Sequence, residues 1–229
     1  MSLGISKITK KLLQLMKAVL AIAIIGVFVL LINNENKLEA NKPSRQSEQD
    51  ASIPGAMDVD EDEITETQKI DYIVTPEKPR FLSIEKLGIV KARILEVGVL
   101  KDGKLDAPKS IFDTGWYNAS GLPGSSEVAL IDGHSGGPTK NGVFSRLGEL
   151  REGDEVVVER GDGEVFTYIV VENTTFSLDE AEVFMSIAVD SVEKGTGGLN
   201  LLTCTGEWST IRSTYNKRVL VRAILKTEL

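Results

Sequence analysis

The sequence predicts a mostly β domain, built as a barrel or a sandwich, in the C-terminal two thirds of its 229 residues. Short apolar segments with period-two alternation recur there, as in residues 92–97, and turn-forming residues separate them. The clearest turn is Gly161-Asp162-Gly163, which lies between two alternating segments and predicts a hairpin. Many short strands joined by Gly-rich turns are typical of barrels and sandwiches.

The individual elements follow from the same patterns. Seven strands are predicted, at residues 80–84, 92–97, 128–131, 154–160, 165–171, 199–203 and 218–225. Two short helices are predicted at 142–147 and 179–187, the second with Ser177 or Asp179 as its N-cap.

The N-terminus predicts a membrane anchor. Residues 12–32 are almost entirely apolar, which is long enough for a helix to cross a bilayer. Four lysines lie before or at its start: Lys7, Lys10, Lys11 and Lys17. Because positive flanks stay in the cytoplasm, residues 1–11 are expected inside and the rest of the chain outside. A cleaved signal peptide is the alternative, but no clear small-x-small cleavage site follows Ile32.

An acidic segment separates this anchor from the β domain. Residues 33–71 are rich in polar residues and acids and poor in apolar ones, so we expect a disordered linker. Residues 72–229 then form one domain. The formal net charge is -8 and no basic stripe is present, which argues against a nucleic-acid partner. The acids lack the spacing of a calcium loop, and we expect neither metal nor cofactor.

The chain contains one cysteine, Cys204, and one histidine, His134. A thiol and an imidazole are the minimum parts of nucleophilic cysteine catalysis. Exported proteins usually pair their cysteines, so a lone one indicates a reactive thiol, although a lone cysteine is also often only a small buried residue. With Arg218, both residues lie at predicted strand ends, where catalytic groups often occur.

An ordered set of short motifs resembles the sortase family, membrane-anchored cysteine transpeptidases of Gram-positive-type cell surfaces. The resemblance covers about residues 81–225. One departure is Asn200, where the family's nucleophile motif begins with Thr. The motifs in chain order are Phe81-Leu82-Ser83-Ile84-Glu85-Lys86-Leu87-Gly88-Ile89, Gly115-Trp116-Tyr117 with Pro123-Gly124, Gly133-His134, Gly142-Val143-Phe144-Ser145-Arg146-Leu147 with Gly153-Asp154, Leu202-Thr203-Cys204, and Arg218 before an apolar strand.

The resemblance implies a fold and a set of roles. The fold would be a closed β-barrel of about eight strands with short helices. Cys204 would attack a peptide carbonyl, His134 would move protons, and Arg218 would stabilise the oxyanion. Thr203 and Thr205 would bind substrate, with the Thr205 N–H as a second oxyanion donor. Two alternatives stay open: Arg222 lies on the Arg218 face at period two, and Asp132 could orient His134 or only form a turn.

The same resemblance implies partners and a location. The donor would be the C-terminal sorting signal of secreted surface proteins, and the acceptor an amine of a cell-wall precursor or a pilin lysine. The enzyme would sit in the cell membrane as a single-pass protein with its catalytic domain outside. The Gly-Trp-Tyr and Pro-Gly pattern favours a class D-, E- or F-like enzyme.

Two rival functions use the same residues differently. A cysteine endopeptidase would pass the acyl group to water, and a surface binding module would need no chemistry. An L,D-transpeptidase fits poorly, because its motif places Gly directly before the cysteine, where this chain has Thr203.

Overall fold

Eight strands close into one barrel. The computed structural model describes residues 59–101, 103–180, 187–192 and 197–227. The strands are β1 (Pro79–Ile84), β2 (Ile89–Val97), β3 (Thr114–Tyr117), β4 (Val128–Gly133), β5 (Glu155–Arg160), β6 (Val165–Ser177), β7 (Gly198–Ser209) and β8 (Thr214–Leu225). Their order around the barrel is β1-β2-β3-β4-β7-β8-β6-β5, and β5 pairs with β1 to close it. The predicted closed barrel is confirmed.

The helices are short. Helix α1 (Glu66–Ile70) has a capping box, in which the Thr65 hydroxyl accepts from the Gln68 N–H and the Gln68 side chain accepts from the Thr65 N–H. Single 3-10 turns lie at Glu85–Leu87, Leu147–Glu149 and Leu178–Glu180. The helix predicted at 142–147 is wrong, because only its last residue enters a 3-10 turn. Most of the helix predicted at 179–187 lies outside the described residues.

All seven predicted strands are present, and sequence patterns missed β3. Its residues Thr114, Gly115 and Trp116 are all buried, so it shows no alternation of apolar and polar residues. It pairs in parallel with β2 and antiparallel with β4, and so connects these two strands in the sheet. Without this four-residue strand the barrel would stay open between β2 and β4.

The apolar side chains form two clusters, one inside the barrel and one outside it. The barrel interior holds side chains from every strand, for example Leu82, Ile131, Leu201 and Val221. A smaller cluster on the outer face of β4, β7 and β8 contains Leu130, Leu202, Leu220 and Ala188, with Leu105, Tyr117, Phe176 and Ile187 packed at its edge. The outer face of these three strands is therefore partly covered.

The acidic linker differs from its prediction at its C-terminal end. Residues 59–71 were predicted to be disordered, but Asp60 pairs with the barrel: its N–H donates to Lys109 O (2.8 Å) and its carbonyl accepts from the Ile111 N–H (3.0 Å). Glu61 accepts from the Thr139 and Lys140 N–H groups at 2.8 and 3.0 Å. These hydrogen bonds offset the entropy lost when residues 59–71 become ordered, because the segment has few apolar residues to bury.

The predicted cytoplasmic N-terminus at 1–11, the membrane anchor at 12–32 and the linker as far as residue 58 lie outside the described residues. Within the described part of the chain, no helix combines the length and apolar character needed to cross a membrane.

Candidate active site

Cys204 and Arg218 face each other across the β7–β8 pair. They are direct partners in the antiparallel register, so their Cα atoms are about 5 Å apart. Both were predicted at strand ends, and that placement is wrong. β7 continues past Cys204 to Ser209, and β8 already begins at Thr214, before Arg218. The two strands therefore form a hairpin that extends beyond their apolar residues. Polar outer residues in this extension hid it from the apolar pattern.

His134 follows directly on β4, as predicted. β4 and β7 are parallel, with Asp132 opposite Leu202. That pair is the last of the register, and His134 and Cys204 each lie two residues beyond it on neighbouring chain segments. The Thr203 hydroxyl donates to Gly133 O at 2.7 Å and holds the two segments together at this level. The three predicted catalytic residues therefore lie on three neighbouring segments, β7, β8 and the residues directly after β4, and are called the row below.

The His134 ring is held by a backbone carbonyl. Its Nε2 lies 2.7 Å from Pro108 O, and because a carbonyl only accepts, Nε2 carries the proton in this contact. The other ring nitrogen, Nδ1, is then the one that exchanges a proton with a reactant. An aspartate takes the orienting position in many Cys–His and Ser–His sites. Here the Pro108 carbonyl occupies it.

The Arg218 guanidinium is fixed by its own strand. Nη1 donates to Tyr215 O and Lys217 O, both at 2.8 Å, and Nη2 donates to the Thr214 hydroxyl at 2.9 Å. Five N–H donors are available on an arginine, so these bonds still allow it to receive an oxyanion. The guanidinium is thus held in place before substrate arrives, which reduces reorganisation during reaction.

The environment of Cys204 favours the neutral thiol at rest. Burial raises the pKa of the Cys204 thiol, whereas the nearby Arg218 charge lowers it; ionised Asp132 raises this pKa and a hydrogen bond with Thr214 lowers it. Thr214 was not singled out from the sequence, because it lies ten residues from Cys204 in a polar turn region. Its hydroxyl accepts from Arg218 and can donate to the sulfur.

The remaining predicted residues lie as follows. Thr203, predicted to bind substrate, is buried (5% exposed), and its hydroxyl donates to Gly133 O. Thr205 is half-buried opposite Lys217, one residue beyond the row.

Arg222, the rival to Arg218, is engaged elsewhere. Its Nη1 donates to Glu172 Oε2 and its Nη2 to Asp190 O, both at 3.1 Å. It pairs with Asn200, four residues before Cys204 on β7. Asn200, the departure from the family motif, also binds the chain at 188–190, donating to Ala188 O (2.9 Å) and Asp190 O (3.1 Å). These two residues hold the connection between β6 and β7 and leave Arg218 as the arginine beside the thiol.

Within the described residues, no three side chains of His, Cys, Asp or Glu are grouped so that they could hold a metal ion. The row itself consists of a thiol, an imidazole and a guanidinium on a rigid sheet. Those groups suffice for acyl transfer through a thioester.

Comparison with known proteins identifies the family of the chain. The family model described as the sortase domain matches residues 82–226, which is most of the barrel. The chain therefore belongs to the sortase family. No curated protein sequence matches it.

Solved structures of sortases are similar to the chain. The pilus-related sortase C of Group B Streptococcus is 25% identical with a TM-score of 0.48, covering 72% of this chain and 74% of that one. Sortase C of Streptococcus pneumoniae is 20% identical with a TM-score of 0.49, covering 76% and 80%. Sortase A of Corynebacterium diphtheriae is 22% identical with a TM-score of 0.48, covering 67% and 63%.

Proposed function

We propose that the protein is a cysteine transpeptidase that cleaves the sorting signal of secreted surface proteins and transfers the new C-terminus to an amine. The observation that supports this most is the row of His134, Cys204 and Arg218 on three neighbouring chain segments. Family membership supports the reaction type.

The first half-reaction forms a thioester. The Cys204 sulfur, as thiolate, attacks the carbonyl carbon of a threonine-like residue in the sorting signal, and a C–S bond forms. The carbonyl oxygen becomes an oxyanion beside the Arg218 guanidinium, with the Thr205 N–H as a second proposed donor. The C–N bond then breaks, and His134 as imidazolium gives its proton to the leaving amine.

The second half-reaction reverses these steps with a different amine. Neutral His134 removes a proton from the incoming amine, which attacks the thioester carbon and releases Cys204. The acceptor is an amine of a cell-wall precursor or a pilin lysine. Because the resting thiol has a raised pKa, only a small fraction of Cys204 is thiolate at neutral pH.

The proposed setting follows from residues 1–58. Residues 12–32 anchor the protein in the cell membrane with residues 1–11 in the cytoplasm, and the acidic segment from 33 onward leads to the barrel outside. The long like-charged stretch favours extension away from the membrane surface.

The test is mass spectrometry of the full-length protein with a panel of sorting-signal peptides. We expect an acyl adduct on Cys204 with at least one peptide, and an amide product only when an amine is added. Cys204→Ala should give neither. Release of only the hydrolysed peptide, whatever amine is present, would instead identify a cysteine endopeptidase.

A non-catalytic binding module predicts a third pattern. Peptides would then bind without any adduct, and Cys204→Ala would bind them as well as the native protein. The adduct experiment therefore separates all three functions in one measurement.

A further inference from the structure

Asp132 lies on the same outer face as the catalytic row. It pairs with Gly115 of β3 on one side and with Leu202 of β7 on the other. Asp132 lies two residues before His134, and Leu202 lies two residues before Cys204. A Cβ at position 115 would overlap Asp132 Oδ1, so the carboxyl lies directly against the Gly115 backbone. Only glycine leaves room for it there. Pro108, whose carbonyl holds His134, also lies over Gly115.

One oxygen of the Asp132 carboxyl is buried without a hydrogen-bond partner. Its Oδ1 is enclosed, and no described residue forms a hydrogen bond with it. A buried carboxylate without a cation or donors is costly, and such groups usually bind a proton instead. Desolvation raises the pKa of Asp132 to about 8, with the nearby Asp106 carboxylate adding to the rise.

The titratable groups around Asp132 come from each neighbouring element. Asp106 faces it from the segment before β3, Cys204 from β7, and His134 follows it on β4. Arg218 lies beyond Cys204 on β8 and reaches the thiol. A negative charge on Asp132 therefore makes ionisation of Cys204, on the neighbouring strand, less favourable.

Asp132 does not serve as the orienting acid of His134, because the Pro108 carbonyl holds the ring. We propose that Asp132 is a positioning residue that keeps a proton beside Cys204, so that the thiolate is the sole negative charge formed in this buried part of the site. Loss of that proton at alkaline pH places a second negative charge next to the sulfur and opposes thiolate formation. The proposal rests on Cys204 being the nucleophile.

The test measures the alkylation rate of Cys204 by iodoacetamide between pH 6 and pH 10 in the full-length protein. Because Cys204 is the single cysteine in the sequence, all incorporated label reports on it. Four proteins are compared: the native chain, Asp132→Asn, Asp106→Asn and the control Asp162→Asn in the β5–β6 turn.

Asp132→Asn keeps the shape and stays neutral at every pH. We expect its rate relative to the native chain to rise with pH, reaching about threefold to tenfold near pH 9, as a change of half to one pKa unit would produce. Asp106→Asn removes the like charge that raises the Asp132 pKa, so Asp132 should ionise, and begin to slow Cys204 alkylation, at a lower pH than in the native chain. Asp162→Asn should follow the native profile.

Superimposable profiles for Asp132→Asn and the native chain would overturn the proposal. So would a uniform loss of reactivity at all pH values, because that marks a carboxylate acting in its ionised form. If Asp132→Asn does not fold, the Asp106→Asn profile decides, and agreement with Asp162→Asn overturns the proposal.

Failure of the proposed function gives a different result. A chain with the pH-dependent ratio but no acyl adduct from any peptide would keep the role of Asp132 and exclude the transpeptidase.

Discussion

The two faces of the β7–β8 pair differ in composition, although they belong to the same two strands. Inward side chains such as Leu201 and Val221 are fully buried among apolar neighbours from the whole barrel. Outward side chains alternate with them and include Cys204 and Arg218, which are half-buried and carry polar contacts. One face stabilises the barrel, and the other uses its rigidity to hold reactive groups in register.

This division teaches where substitutions should affect stability and where they should affect chemistry. A strand residue contributes to one face only, since successive side chains point to opposite sides. Changes at odd positions 199–203 should lower the free energy of unfolding. A change at Cys204, on the outer face, should alter reactivity with little effect on folding. The following variants test that separation, from the largest expected effect to the smallest.

Cys204→Ala is expected to abolish acyl-adduct formation and amide transfer, because no other thiol exists in the sequence. The free energy of unfolding, measured with urea, should change by about 1 kcal/mol or less. Ser209→Ala, further along the same strand, is the control and should retain transfer. Persistent transfer by Cys204→Ala would place the nucleophile elsewhere.

Leu201→Ala is expected to reduce the free energy of unfolding by about 2–5 kcal/mol, because it leaves a cavity in a fully buried part of the barrel. Urea denaturation gives the value. Leu201→Met conserves volume and should cost less than about 1.5 kcal/mol. A loss below about 1 kcal/mol in the alanine variant would show that the interior of β7 adapts more than its packing indicates.

Arg218→Lys should lower kcat/KM about tenfold to a hundredfold, a fraction of the effect of removing an oxyanion donor outright. Lysine keeps the charge but not the planar set of donors that holds Tyr215 O, Lys217 O and the Thr214 hydroxyl. Steady-state kinetics with the best sorting-signal peptide measures it. Arg212→Lys, an exposed arginine paired with Asp179, serves as the comparison and should match the native chain.

Thr203→Val should cost about 1 kcal/mol, because its inward hydroxyl donates to Gly133 O in the buried barrel. Urea unfolding of Thr203→Ser, which keeps the donor, is the matched comparison. Equal stabilities of the valine and serine variants would show that the bond between β4 and β7 contributes nothing net.

Thr214→Val should raise the pKa of Cys204, since its hydroxyl lowers that pKa by a hydrogen bond. Iodoacetamide labelling at pH 7 should slow about threefold, the effect of half a pKa unit. Thr214→Ser should label at the native rate. If valine and serine label alike, the hydroxyl does not contact the sulfur in solution.

Sequence patterns predicted the barrel strands well where alternation was strong. They missed β3, because a short strand buried on both faces has no alternation to detect. They ended β7 and began β8 at the limits of their apolar stretches, and so placed Cys204 and Arg218 at strand ends. The hairpin beyond them has polar residues on its outer side, and its pairing depends on the partner strand rather than on hydrophobicity.

Composition also misled at the end of the acidic linker. Asp60 and Glu61 look like solvated acids in the sequence, yet the Asp60 backbone pairs with Lys109 and Ile111, and the Glu61 carboxylate accepts from two N–H groups at 139–140. Those donors are distant in the chain. No local sequence pattern could indicate that these backbone groups are left available to bond to the end of the linker.

The sequence by itself determined the reactive groups and the alternation that separates them from the core. With one thiol and one histidine, it left no choice of nucleophile and base for cysteine catalysis. Only the tertiary structure decided which arginine stands beside the thiol, which atom holds His134, and that one oxygen of Asp132 is buried without a hydrogen-bond partner. These depend on register and closure, where residues far apart in the chain meet, and short-range periodicity carries no information about such pairings.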